Sequence, residues 1–137
     1  MSLRLDVLED LPSPVSTPQF HRALENLCKK EFGNRPIILE ILMTTNARMQ
    51  VLNGAARGHH TTTDVLSLPV AIDTNRGIVV PIGTTPLLLG TIVVALPQAA
   101  AQVGRFGDSL ETEVLGLVKH GFQHLLGHDH DANGTWH

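Results

Sequence analysis

The chain of 137 residues has one cysteine, no tyrosine and only 4% aromatic residues. A lone thiol, Cys28, makes an intrachain disulfide and a cysteine-built metal site impossible. It falls inside a helical pattern, where a buried and inert side chain is expected. The charge balance, 10 basic against 13 acidic residues for a net charge of −3, lacks the overall basic excess of a nucleic-acid binder, so any such contact must be local. Arg22, Lys29, Lys30, Arg35, Arg48 and Arg57 do gather in the first half, but carboxylates are interspersed, and the expected result is a solvated mixed face. The longest apolar run, PLLLGTIVVALP, is far shorter than the roughly 20 residues that span a bilayer. MSLRLDVLEDLPSP carries acidic residues where a signal peptide needs an apolar stretch. The expectation is a cytoplasmic protein with no membrane partner, built as one domain over residues 1–137.

What is present is an alternation of strand and helix signals. LRLDV, residues 3–7, reads as a half-buried strand ended by Pro12 and Pro14. Thr17 serves as N-cap of a helix with Pro18 in its first turn, Phe20, Leu24, Leu27 and Phe32 on one face, and Gly33 closing it. Residues 36–44 suit an interior strand, a short helix spans about Asn46 to Ala56 with Met49 and Leu52 inward, and residues 63–69 form a short strand or extended segment. TNRG at 74–77 is a turn signal, and residues 87–96 make a second buried strand in which Gly90 marks a bulge or a close backbone approach. An Ala-rich helix over 97–104 leads into a last helix from about Ser109 to Leu126, opened by Asp108 and Glu111 as a capping box. Leu110, Val114, Leu117, Val118 and Leu125 line its inner face.

That last helix carries the chemistry. HGFQHLLGHDH, from His120 to His130, holds four of the eight histidines. His120 and His124 stand one helical turn apart on one face and can share an ion. Gly127 can end the helix and return the chain, which makes His130 the third ligand. Three neutral imidazoles leave one coordination position for solvent, as in a catalytic zinc site. Asp129 either hydrogen-bonds a ligand imidazole or caps the turn, His128 is left outside the shell, and His21, His59, His60 and His137 have no evident partner. The spacing matches the HExxHxxGxxH of metzincin proteases, except that the glutamate which takes the proton from water is here Gly121, so peptide hydrolysis is disfavoured.

The same residues resemble the YbeY family of bacterial endoribonucleases, or rRNA maturation factors. The family signature HGxLHLxGYDH is similar to His120–His130, with Gln123 and His128 at two differing positions. A second signature, LNxxxRxxxxxTDVLSFP, is similar to Leu52, Asn53, Arg57 and Thr63–Pro69, with Leu68 for the phenylalanine. The resemblance, over about residues 36–130, implies an α+β fold in which helices flank a small mixed four-stranded sheet, with a zincin-like site on the C-terminal helix. It implies one Zn2+, or another divalent ion, on His120, His124 and His130. It also implies catalytic roles for Arg57 and His120, and cleavage of single-stranded RNA in small-subunit rRNA maturation and ribosome quality control, with ribosomal RNA and the small ribosomal subunit as partners and no DNA.

A guanidinium such as that of Arg57 suits developing charge on a phosphoryl oxygen. Asn53 and Asp64 either contact substrate and orient Arg57 or serve as turn and cap residues. A hydroxyl of Ser67 bonded to backbone is the expected state. Where the family shows LGD, this chain has Leu89, Gly90 and Thr91, removing a carboxylate expected near the cleft or turn. The contrasting reading is a metal-stabilised ribosome-assembly or RNA-binding factor without nuclease activity.

Overall fold

A computed structural model describes residues 3–58, 62–69 and 86–126, with the side chain of Arg57 outside that set. Strands β1 (Leu3–Glu9), β2 (Ile37–Thr44), β3 (Val65–Pro69) and β4 (Leu87–Ala95) form one sheet in the order β1-β2-β4-β3. β1, β2 and β4 run parallel and β3 lies antiparallel on the β4 edge, so the sheet is mixed as expected. β1 extends two residues beyond the alternating LRLDV, because its backbone keeps pairing with β2 as far as Glu9 and Met43.

Among the described residues four helices cover the sheet: α1 (Thr17–Phe32), α2 (Asn46–Arg57), α3 (Leu96–Ala101) and α4 (Leu110–Leu125). α1 and α4 pack on one face, where Phe20 and Leu24 meet Leu39, Ile41 and Ile92 of the sheet and Val114, Leu117 and Phe122 of α4. α2 packs on the other, with Met49 buried among Leu42, Leu66, Val93 and Ala95. Cys28 is buried and burial pushes its thiol pKa up, the inert state its position suggested.

Helix boundaries differ from expectation as well. The N-cap of α1 is Ser16, not Thr17: its hydroxyl accepts from Gln19 N–H while the Gln19 side chain accepts from Ser16 N–H, a capping box that places Thr17 and Pro18 inside the helix. The N-cap of α4 is Ser109, boxed with Thr112 in place of Asp108 with Glu111, which leaves Glu111 and Glu113 in the first turn facing the positive end of the helix dipole. α3 ends at Ala101, well short of residue 104, because Gln102 leaves the helical region with φ −120° and Val103 and Gly104 do not extend it.

Gly90 fulfils both readings of it. The pairing of β2 with β4 slips by one residue beside it, and at φ +149° a Cβ there would stand 2.3 Å from the Leu68 carbonyl oxygen. Only glycine lets β3 come that close.

Candidate functional site

α4 carries His120, exposed, and His124, which is 7% exposed. Their Nε2 atoms are 2.8 Å apart and the rings meet edge to face at 72°. One ring donates its N–H and the other accepts, so the two are held together as a hydrogen-bonded pair. Gly121, between them, faces the sheet. A Cβ there would lie 2.8 Å from Ile92 Cγ2 and 3.2 Å from both Ser67 Oγ and Val65 Cγ2. The Ser67 hydroxyl donates to the Gly121 carbonyl at 2.8 Å, the backbone bond expected of it, and ties α4 to β3. The position after the first histidine therefore has no room for a peptidase glutamate.

A second group closes on the histidines from the start of β3. Asp64 Oδ1 accepts from Val65 N–H at 2.7 Å, and Oδ2 accepts from Gln102 Nε2 at 2.7 Å and Arg105 Nη2 at 2.5 Å. Arg105 also donates through Nε and Nη2, at 3.2 and 3.0 Å, to Oε2 of the fully buried Glu113. Burial alone would raise the pKa of Asp64, but the hydrogen bonds from Gln102 and Arg105, the guanidinium charge and the Val65 amide outweigh it and hold the carboxyl below the ordinary range. Oε1 of Glu113 has no hydrogen-bond partner among the described residues. Thr63, Asp64, Val65, Ser67, Arg105 and Phe106 join Leu117, His120 and His124 around a cavity of about 270 Å³.

Residues 11–136 match the family model described as Endoribonuclease YbeY. The chain belongs to the YbeY family. A relative named Endoribonuclease YbeY from Sulfurihydrogenibium sp. is 33% identical over 130 residues, 95% of this chain and 80% of that protein. One of the same name from Roseiflexus sp. is 35% identical over 129 residues, 94% and 79% respectively. A Gloeobacter violaceus relative, again of that name, is 40% identical over 98 residues, 72% of this chain and 49% of the relative. The solution structure of a Thermotoga maritima protein shares the fold at a TM-score of 0.60 and 22% identity, covering 96% of this chain and 79% of that one.

Within this YbeY fold, the residues singled out by sequence fall in different places. His120, His124 and Asp64 meet at the cavity. Asn53 is buried in α2 at 5% exposure and lines neither this cavity nor its neighbour. Arg57 ends α2, its side chain outside the described residues, and His59, His60, His128, Asp129, His130, His137, Gly127 and the turn at 74–77 also lie outside them. Thr91 donates to Glu40 Oε1 at 2.8 Å on the α2 face of the sheet, opposite the histidines. The carboxylate that Thr91 replaces therefore belongs to a different face from the cavity. His21 has a structural partner after all: its Nε2 lies 2.9 Å from the Leu3 carbonyl oxygen.

Sequence reading missed Arg105, Gln102 and Glu113. Arg105 sits in a loop bracketed by Gly104 and Gly107, with no periodicity to reveal its side, and its partner Asp64 is 41 residues away. The one available signal is a charged residue next to an aromatic between two glycines.

Two imidazole nitrogens on one tetrahedral zinc stand about 3.3 Å apart for Zn–N bonds of about 2.0–2.1 Å. The 2.8 Å between the Nε2 atoms needs only a small opening to reach that separation, so the pair fits such an ion. Among the described residues no group of three or more His, Cys, Asp or Glu forms a metal site; the expected third ligand is His130. Nor is any described helix long and apolar enough to cross a membrane.

Proposed function

We propose that this chain is a single-strand-specific, zinc-dependent endoribonuclease that acts in the cytoplasm on ribosomal RNA, in small-subunit maturation and ribosome quality control. The observation that carries the reading is the pair of imidazole nitrogens 2.8 Å apart beside a guanidinium anchored by two carboxylates. The family name supports ribonuclease chemistry; the donor set supports the metal. Zinc, or another divalent ion, would be held by His120, His124 and His130 and would supply Lewis acidity at a phosphodiester.

The chain's own residues then divide the work. His124 is the buried anchor and His120 the exposed ligand at the cavity wall. Arg105 keeps Nη1 free of hydrogen bonds among the described residues, available to a phosphoryl oxygen, while Asp64 and Glu113 fix its other nitrogens. Arg57 supplies the second cation. Asp64 acts through Arg105, as a positioning residue.

Cleavage of a labelled single-stranded RNA by wild type, with metal content measured on the same preparation, tests this. Chelation, His120→Ala or His124→Ala should each lower the rate by about 10²- to 10³-fold, the loss of several kcal/mol of charge stabilisation. Arg57→Ala should lower it while metal content stays unchanged. Cleavage that survives chelation and all three variants marks a contaminating nuclease and overturns the assignment. A chelator that lowers Tm, with no cleavage at any metal loading, points to the non-cutting RNA-binding factor.

A further inference from the structure

Beyond the histidine cavity lies a second hollow, of about 460 Å³, lined by Phe106, Thr112, Leu115, Gly116, Lys119, His120 and Gln123. Phe106 and His120 belong to both. Phe106 is 44% exposed, although the sheet faces and helices of this small domain bury most of its other large apolar side chains. An exposed ring loses hydrophobic stabilisation, so what holds it there is informative. It rests on α4 at Gly116, where a Cβ would come within 2.1 Å of the ring's Cγ and 2.4 Å of Cδ1. The glycine is a cost to the middle of the helix relative to alanine, and it makes the seat on which the ring lies. The Arg105 guanidinium sits over the ring with its Cζ 5.2 Å from the centroid, and that guanidinium is itself pinned by Asp64 and Glu113. The ring is thus fixed from two sides and still accessible. Exposed Lys119 and Gln123, one helical turn apart on α4, supply a cation and an amide along the same hollow.

We propose that Phe106 is a base-stacking platform, and that the Phe106–Gly116–Lys119 hollow is a subsite for the nucleotide adjoining the phosphodiester held at the histidines. The subsite rests on the ribonuclease reading of the cavity. An aromatic face next to cations that track a phosphate backbone is how single strands are bound with little base preference, since every base has a π-face. A duplex keeps its bases stacked on one another, so such a platform selects unpaired RNA. A fully apolar partner, such as a protein side chain, would not call for the cation and amide along the hollow.

The test is binding of a labelled single-stranded octaadenylate, followed by anisotropy, with the oligonucleotide's integrity checked on a gel. Phe106→Ala and Phe106→Leu should each weaken Kd by roughly 5- to 150-fold, the range for loss of one stacked base, whereas Phe106→Trp should bind at least as well as wild type. Leucine keeps apolar cover over Gly116 and so separates stacking from packing. Gly116→Ala, which favours the helix but unseats the ring, should reproduce the loss without lowering Tm. One abasic position in the octamer should cost wild type a similar factor and cost Phe106→Ala nothing.

Wild-type affinity in Phe106→Leu, or a Trp variant as weak as the Ala variant, overturns the proposal. So does an abasic penalty that persists in Phe106→Ala. Loss of Phe106-dependent binding with cleavage still sensitive to His120→Ala removes the subsite and leaves the nuclease reading standing. Phe106-dependent binding by a chain that never cuts RNA does the reverse. Failure of wild type to bind any single strand removes both.

Discussion

Asp10 and Asp64 each hold an arginine, and they do so for different ends. Asp10, just past β1, accepts from Thr44 Oγ1 and from Arg48 Nη1, both at 2.7 Å. The group is open to solvent and ties the end of β2 to the start of α2. Asp64, just before β3, makes a similar pair of contacts with Gln102 and Arg105, but behind the arginine stands Glu113, with none of its surface exposed. The first cluster spends its hydrogen bonds on joining elements. The second orients a guanidinium toward a cavity that also holds two histidines. Similar chemistry at the level of pairs acquires a function only from what is buried behind it and what lies in front of it.

The largest consequence of that difference should appear on removing the cation. Arg105→Ala leaves the buried Glu113 carboxyl without its partner; the loss should be about 3 kcal/mol, the low end for such a pair because the guanidinium is half exposed, and thermal unfolding should show a Tm lower by about 10 °C. Adding Glu113→Gln should restore part of it. If Arg105→Ala costs no more than Arg48→Ala, the two clusters are equivalent and the contrast fails.

Asp64→Asn comes next, at about 1.5–3 kcal/mol for hydrogen bonds to a charged group. Its pH dependence has a definite sign. The folded-state pKa of Asp64 is depressed, so its contribution is fully present above the ordinary carboxylate range and is lost as pH falls through the depressed value. The Tm gap between wild type and Asp64→Asn should therefore be constant near neutrality and close below about pH 4. A gap that persists at low pH means that the carboxylate charge is irrelevant. The smallest effect belongs to Arg48→Ala: screening at an exposed pair should limit the Tm change to about 4 °C and shrink it further in salt.

Which parts of this were readable without coordinates follows from the range of each interaction. The histidine pair needed only one helical turn of sequence, and β2 and β4 declared themselves as interior strands by being apolar on both faces. Helix starts were off by a residue because Ser16 and Thr17, like Asp108 and Ser109, are neighbours equally able to cap, and only the three-residue reach to Gln19 and Thr112 decides between them. The face of the sheet on which Thr91 lies depended on the slip at Gly90, which reverses side-chain alternation from that point on. Arg105 was illegible because its meaning comes from partners 41 and 8 residues distant, across a loop without periodicity.

The seam between α4 and β3 at Gly121 bears on what this fold can become. Peptidases with related histidine spacing place their base at that residue, but here a substituent would push against Ile92 and Val65 and pry the helix from the strand. Acquiring such a base would displace both neighbouring imidazoles at the same stroke. A substitution at Gly121 alone would therefore not seat such a base on this scaffold unless the sheet edge shifted with it.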